Sequence, residues 1–201
     1  METSESKIRI IRAALELMSQ SGLSGAGINQ VVAASAAPRG SIYHFFPGGK
    51  LEIATVALEE AERAVGQWFS EVFDRREPIT KKVESLFAGA AANVEASGFN
   101  RSCPVAAVTL DIDGDSERMR AVCRRIFVTW QDIIAARLDE APEEERRGTA
   151  ELIFATLEGA LILSRAEASK DPLLRAGKTL GAVLARRFQA AATEPAERSS
   201  S

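Results

Sequence analysis

Arg39, Ser41, Tyr43 and His44 can all hydrogen-bond or stack, and they fall within six residues around apolar Ile42, Phe45 and Phe46. A helix split in that way is held on its apolar side and presents its polar side to something else. The chemistry such a surface offers is recognition of base edges and phosphates in a duplex groove. It stands behind a short apolar segment, Ile28 to Ser35, and a turn, Ala36-Ala37-Pro38. Helix, three- to four-residue turn and second short helix make up the layout of a helix-turn-helix.

Within that segment each side chain has two readings. Arg39, at the start of the second helix, can reach the O6 and N7 of a guanine or a phosphate, or it is a solvated surface arginine. Ser41 and His44 share its face and can touch base edges or phosphates. Tyr43 either gives its hydroxyl to a phosphate or packs into the core. Pro38 and Gly40, on either side of Arg39, are counted with this surface, and Gln30 is a candidate phosphate contact. Asn29 is a similar one. Ile42, Phe45 and Phe46 are expected in the core. Lys50 stands in the first turn of the next helix, where a cation opposes the helix dipole by up to about 1 kcal/mol. A phosphate at that place would make both the lysine and the free amides favourable. The GGK of residues 48–50 is not a nucleotide-cradling loop, because that motif needs a glycine where His44 stands and Ser or Thr where Leu51 stands.

Other chemistries are poorly supplied. His44 is the sole histidine, which removes histidine-cluster metal sites and leaves no Ser/His/Asp or Cys/His set. No catalytic residue, no metal ligand and no cofactor is assigned. Cys103 and Cys123 are the two cysteines, a number that fits reduced thiols. Cys103 lies near Arg101 and admits a redox reading beside that of a packed thiol.

The elements that must position these residues are helical throughout. Ser4 or Ser6 can cap a first helix of about 15 residues, with Ile8, Ile11, Leu15 and Met18 marking a buried face and Gly22 its end. The second helix, Ile28 to Ser35, carries Ile28, Val31 and Val32 inward behind a weak glycine cap at Gly25 or Gly27. The third runs to about Phe46, where Pro47-Gly48-Gly49 stops it. Helical spacing then predicts a long helix from Lys50 to Phe73 and another from Pro78 to about Ala96. Residues 97–104 read as a loop, Val105 to Leu110 as a short helix and Asp111 to Asp115 as a turn. Further helices are expected from Ser116 to Leu138, from Pro142 to about Ser169, and from Asp171-Pro172 to about Ala192. Acids at Glu143, Glu144 and Glu145 suit a helix start. The expected architecture is all-α. A head of residues 1–50 precedes a helical body of residues 51–192, and residues 193–201 form a frayed tail.

Composition supports this without deciding it. The chain has 201 residues, 46% of them hydrophobic, enough for a packed core. The net charge of −3 is unevenly spread. Lys7, Arg9, Arg12, Arg39 and Lys50 against Glu2, Glu5 and Glu16 leave residues 1–50 at +2 and the remainder at −5. No apolar run nears the roughly 20 residues that cross a bilayer, so no membrane partner is expected. The charged opening METSESKIRIIRAALELM lacks a signal-peptide pattern, and the expected place is the cytoplasm.

The body holds two apolar groupings. Trp68, Phe69, Phe73, Phe87, Cys103, Phe127 and Trp130 supply large apolar surface, with Phe99 and Met119 beside them. Together they either form ordinary core or enclose an apolar, aromatic ligand, with Gln131, Asn93, Arg101 and Thr109 as candidates to orient it. Ile153 to Leu163, IFATLEGALIL, is apolar nearly all round and so is buried on more than one face. With Leu173, Leu180, Val183, Leu184 and Phe188 it is either a central helix of a monomer or a seam between two copies. Phe154, Leu157, Leu161, Leu180 and Leu184 would carry such a seam, and Gly159 and Ala160 would let backbones approach.

The segments IRAALELMSQSGL, INQVVAASA and PRGSIYHFFPGGK, with a Gly-x-x-Tyr-x-Phe core, together resemble the tetracycline-repressor (TetR) family over residues 8–58. GAGINQVV, APRGSIYHFFPGGK and RSCPVAAVTLD are similar to its branch of LmrA/YxaF-type repressors. The chain departs from the wider family at Gly27, where a capping Thr or Ser is common. The resemblance implies a homodimer whose two heads each read half of a palindromic double-stranded DNA operator. It also implies a body that holds a small-molecule effector and releases the operator on binding it, and hence a ligand-responsive regulator that is not an enzyme. The alternative is a helical module that binds or sequesters a small molecule without touching DNA.

Overall fold

The computed structural model describes residues 2–112 and 117–193. The later part of the expected 111–115 turn, Ser116 as a helix start, and the tail beyond Thr193 lie outside the described residues. Among the described residues there are nine helices and no strand. They are α1 (Glu2–Gly25), α2 (Ile28–Ser35), α3 (Arg39–Phe45), α4 (Gly49–Phe73), α5 (Ile79–Ala96), α6 (Pro104–Asp111), α7 (Glu117–Ala135), α8 (Glu143–Glu167) and α9 (Asp171–Thr193). The all-α expectation is met. The packing divides the chain into two units, residues 1–65 with 100–129, and residues 66–99 with 130–201.

The first unit is larger than the head read from sequence, because the segment after α5 packs onto α1. Ser102 donates both its backbone N–H, at 2.9 Å, and its hydroxyl, at 2.8 Å, to the carbonyl of Ser19. Arg101 donates to Glu16 at 2.8 Å. At the other end of α6, Asp111 accepts from the Ser24 backbone N–H at 2.5 Å and from the Ser24 hydroxyl at 3.0 Å. Ser21 and Gly22 leave helical geometry inside α1, as expected of Gly22, which adopts a left-handed φ of 66°. A Cβ at Gly22 would lie 2.8 Å from that of Asp111, so the position is closed to other residues by both backbone and space.

The buried face of α1 differs from the expected one. Ile10, Ala14 and Met18 are fully buried and Ala13 is nearly so, whereas Ile8 is 44% exposed and Ile11 and Leu15 are half-buried. Alanines form the middle of the packed ridge, and a reading weighted towards large side chains passes over them.

In the second unit α5 packs along α9, and α8 packs against both. Leu86 and Phe87 of α5, Ile153 of α8 and Leu173 of α9 are completely buried. Each such side chain is worth about 1.5–3 kcal/mol relative to exposure. A Cβ at Gly177 would lie 2.6 Å from the Cβ of Phe87, so the α5–α9 approach depends on that glycine. Ion pairs fasten the rim: Lys170 with Glu95 at 2.9 Å and Arg187 with Glu145 at 2.7 Å. No helix among the described residues is long and apolar enough to cross a membrane.

Candidate nucleic-acid interface and effector site

The helix-turn-helix is assembled by local hydrogen bonds that the sequence only partly advertises. Ala36 closes α2 in the left-handed region at φ 50°. Such a conformation is uncommon for a residue with a Cβ and is sustained only by its surroundings. The support comes from Ser35 and Arg9. The Ser35 hydroxyl accepts from the Ala37 N–H at 3.3 Å and donates to the Val32 carbonyl at 3.4 Å. Arg9 Nε donates to the Ser35 carbonyl at 3.3 Å, tying α1 to the turn. Neither role was read from the sequence, where Arg9 counted only as charge. The signal that would have found the turn is a serine followed by small residues and proline.

Behind this turn α3 is split as expected. Ile42 is 0% and Phe46 1% exposed, while Pro38, Arg39, Gly40, Tyr43 and His44 are exposed and Ser41 is half-buried. Tyr43, at 50% exposed, is on the open side and not in the core. Phe45 is half-buried rather than core, and His44 meets it edge-on with ring centroids 5.0 Å apart. The Lys7 ammonium stands 5.8 Å from the centroid of the Phe46 ring, a cation–π distance. Gln30 and Asn29 are exposed on α2, whose N-cap Gly27 makes no side-chain hydrogen bond, as expected.

Lys50 is half-buried in the first turn of α4. Glu52 shares that turn, and its carboxylate accepts the Gly48 N–H at 2.7 Å. An acid bound at the helix start offsets the dipole penalty that made Lys50 stand out. Lys50 therefore keeps its candidacy by position, not by an uncompensated charge.

The aromatic set of the body separates. Trp68, Phe69, Phe73, Phe87 and Trp130 belong to the second unit, Cys103 and Phe127 to the first. Phe69 lies 6.1 Å from Trp130 and 6.4 Å from Phe154, and Trp130 lies 5.9 Å from Phe154, centroid to centroid. Phe69, Phe73 and Trp130 are each 1% exposed and Phe87 0%, so their faces are already spent on one another and on neighbours. Gln131 accepts from Arg147 at 2.9 Å, Arg101 is engaged with Glu16, and Thr109 donates to the Val105 carbonyl at 2.7 Å. The second unit also contains an open cavity of about 650 Å³, and Phe73 is the one member of the aromatic set that lines it. Among the described residues no three His, Cys, Asp or Glu side chains converge as metal ligands. Burial raises the Cys123 thiol pKa against a lowering contact from Thr109, which suits a neutral packing group.

Burial divides the apolar residues expected to form a seam on α8 and α9. Phe154, Leu157, Leu180 and Leu184 are between 1% and 8% exposed within their own chain, and Leu161 is half-buried. Side chains already covered have little area left to give a partner. The exposed apolar residues of the same helices are Leu152, Ile162, Leu163, Leu174 and Val183, at 40–58% exposure. Gly159 is exposed with open space around it, whereas Ala160 is buried.

Similar proteins match both parts. Residues 10–54 match the bacterial regulatory proteins of the tetR family. Residues 78–179 match the C-terminal domain of LmrA/YxaF-like transcriptional regulators. The HTH-type transcriptional regulator YxaF of Bacillus subtilis is 30% identical over 172 residues, which cover 85% of this chain and 90% of that protein. LmrA of the same organism is 24% identical, covering 92% of this chain and all of its own length. The solved regulatory protein TetR from Rhodobacter sphaeroides superposes with a TM-score of 0.79 at 23% identity, over 87% of this chain and 96% of its own. The TetR-family regulator CifR, a cysteine-substituted form solved with a 26-bp double-stranded operator DNA, gives 0.71 at 19% identity, over 86% and 93%. A chain matched in both parts, with a 30%-identical relative spanned over nine-tenths of its length, belongs to the TetR family of transcriptional regulators, in its LmrA/YxaF-like branch.

Proposed function

We propose that the chain is a homodimeric, ligand-responsive repressor that reads a palindromic operator in the cytoplasm and catalyses no reaction. The observation that carries the reading is the split of α3. Arg39, Tyr43 and His44 stand open to solvent, and Ile42 and Phe46 hold the helix down from behind. In this reading Arg39 contacts a base edge and Ser41 and His44 line the same groove. Pro38 and Gly40 bring the backbone close, and Tyr43, Gln30 and Lys50 bind phosphates. The dimer surface is the exposed apolar set of α8 and α9, centred on Leu152, Gly159 and Leu163. The effector is apolar or aromatic and is taken up among Trp68, Phe69, Phe73, Phe87, Trp130 and Gln131 of the second unit. Since those rings are closely packed, uptake needs a minor, opened state. Operator affinity then falls by the ratio of effector affinities for the two states.

Selection of bound duplexes from a random pool tests this, followed by titration of the winner at several salt concentrations. A two-fold palindrome bound tightly, with affinity falling linearly in log salt, is the expected result. Folded protein that enriches no sequence would defeat the operator reading.

A further inference from the structure

The turn that aims α3 is held from outside its own segment. α2 ends at Ala36 in the left-handed region, at φ 50° and ψ 27°. Helices commonly end that way on glycine, which lacks the Cβ that crowds the backbone there. An alanine in the same place needs support, and α2 supplies little of it. Its last turn has no basic residue, and the carbonyl of buried Ser35 is one of the orphan acceptors of a helix end. The partner comes from α1. Arg9 donates Nε to the Ser35 carbonyl at 3.3 Å and a terminal nitrogen to the Ser6 hydroxyl at 3.2 Å. The second bond steadies the guanidinium from its own helix, so that the planar fork is aimed at the turn.

α3 in turn depends on Ala36. It is seven residues long, and its N-cap, Pro38, makes no side-chain hydrogen bond. A helix of two turns is not stable by itself and takes its direction from what holds its ends. Its far end is packed down by Phe46, with the Lys7 ammonium 5.8 Å from the centroid of that ring. Lys7 and Arg9, two residues apart on α1, thus meet the far end of α3 and the turn before it.

We infer that Arg9 is a positioning residue for operator recognition. It keeps Ala36 left-handed, and so keeps the polar side of α3 aimed at the groove, without touching DNA itself. The inference rests on the operator reading above, but its first consequence appears in the free protein. Without the Arg9 bonds the turn relaxes in part of the population, and operator affinity falls with the fraction of molecules that keep the left-handed turn.

The wild type, Arg9→Ala, Ala36→Gly and the double variant are compared. Amide hydrogen exchange without DNA reads the Ala37 N–H, which donates to the Ser35 hydroxyl at 3.3 Å. It should exchange about tenfold faster in Arg9→Ala and return close to the wild-type rate in the double variant, since glycine holds the left-handed turn unaided. Affinity for the duplex selected from a random pool should fall about tenfold in Arg9→Ala and recover in the double variant, with Ala36→Gly alone within about twofold of wild type. The log–log salt slope should be the same in all four proteins, because no phosphate contact is lost. Arg9→Lys keeps the charge and loses the fork, so it should behave as Arg9→Ala does, and it takes that variant's place if Arg9→Ala does not fold. A loss that glycine does not rescue, a slope reduced by about 1, or full affinity in Arg9→Lys overturns the proposal. So does unchanged exchange at Ala37. The expected exchange pattern in a protein that selects no duplex would instead bring down the operator reading and leave Arg9 as a latch on the turn alone.

Discussion

In α3 the polar and apolar residues fall on opposite sides. Ile42 is fully buried while its neighbour Tyr43 is half-exposed. In α8 the stretch from Ile153 to Leu163 is apolar on nearly every side, and its leucines go to different places. Leu157 is 3% exposed and Leu163 is 54%. A short amphipathic helix declares its free face, because burying a polar residue without a partner is costly and exposing it is not. A helix apolar all round declares that two faces are covered and says nothing about which is covered by its own chain. That difference is why the open face of α3 is legible in the sequence and the open face of α8 is not.

The largest expected effects test the seam directly. Leu163→Glu places a charge on the exposed apolar surface, where it should convert dimer to monomer in sedimentation. Loss of the second half-site contact should lower operator affinity by about 100-fold or more. Leu157→Ala opens a cavity in the chain's own core and should cost about 2–5 kcal/mol in unfolding free energy while leaving dimer stoichiometry intact in the folded protein. The reverse pattern, stoichiometry lost in the Leu157 variant and kept in the Leu163 variant, would restore the seam first read from the sequence.

On the α3 side, Arg39→Ala should remove about 1–3 kcal/mol of operator affinity concentrated at one base pair, measured against single-base operator variants. Its stability should stay within about 0.5 kcal/mol of wild type, since Arg39 is exposed. Equal losses at every base position would reassign Arg39 to a phosphate. Lys50→Gln should do what Arg39→Ala does not: weaken all duplexes alike and reduce the log–log salt slope by about 1. An unchanged slope would leave Lys50 as a helix-start residue balanced by Glu52.

These cases mark what the sequence makes legible. Breakers at Gly22, Pro38 and Pro47-Gly48-Gly49 delimit the head because proline and glycine act through the local backbone. Helical spacing and such breakers together point to eight or nine helices, and nine stand among the described residues. What period could not give was partners distant in sequence. Arg9 reaching the Ser35 carbonyl, Arg101 engaging Glu16 and Asp111 capping Ser24 each depend on how α6 and the turn lie on α1. Arg101, read as a ligand anchor, is held by Glu16 for that reason. The aromatic set shows the same limit: seven apolar residues give the amount of surface, not how it is divided between two units.

The smallest effect gives the sharpest test of the α8 surface, because its sign depends on the partner. Gly159 stands in the interior of a helix, exposed, and a Cβ added there meets nothing of its own chain within 4 Å. Gly159→Ala should therefore stabilise the isolated chain by about 0.5–1 kcal/mol through helix propensity alone. If Leu152, Gly159 and Leu163 face a second copy, the added methyl sits where two backbones approach, and overpacking there opposes association. Unfolding at protein concentrations below the dimer dissociation constant should then show the variant more stable than wild type. Above that constant the advantage should shrink or reverse. A gain that is the same at every concentration would place the partner elsewhere on the molecule.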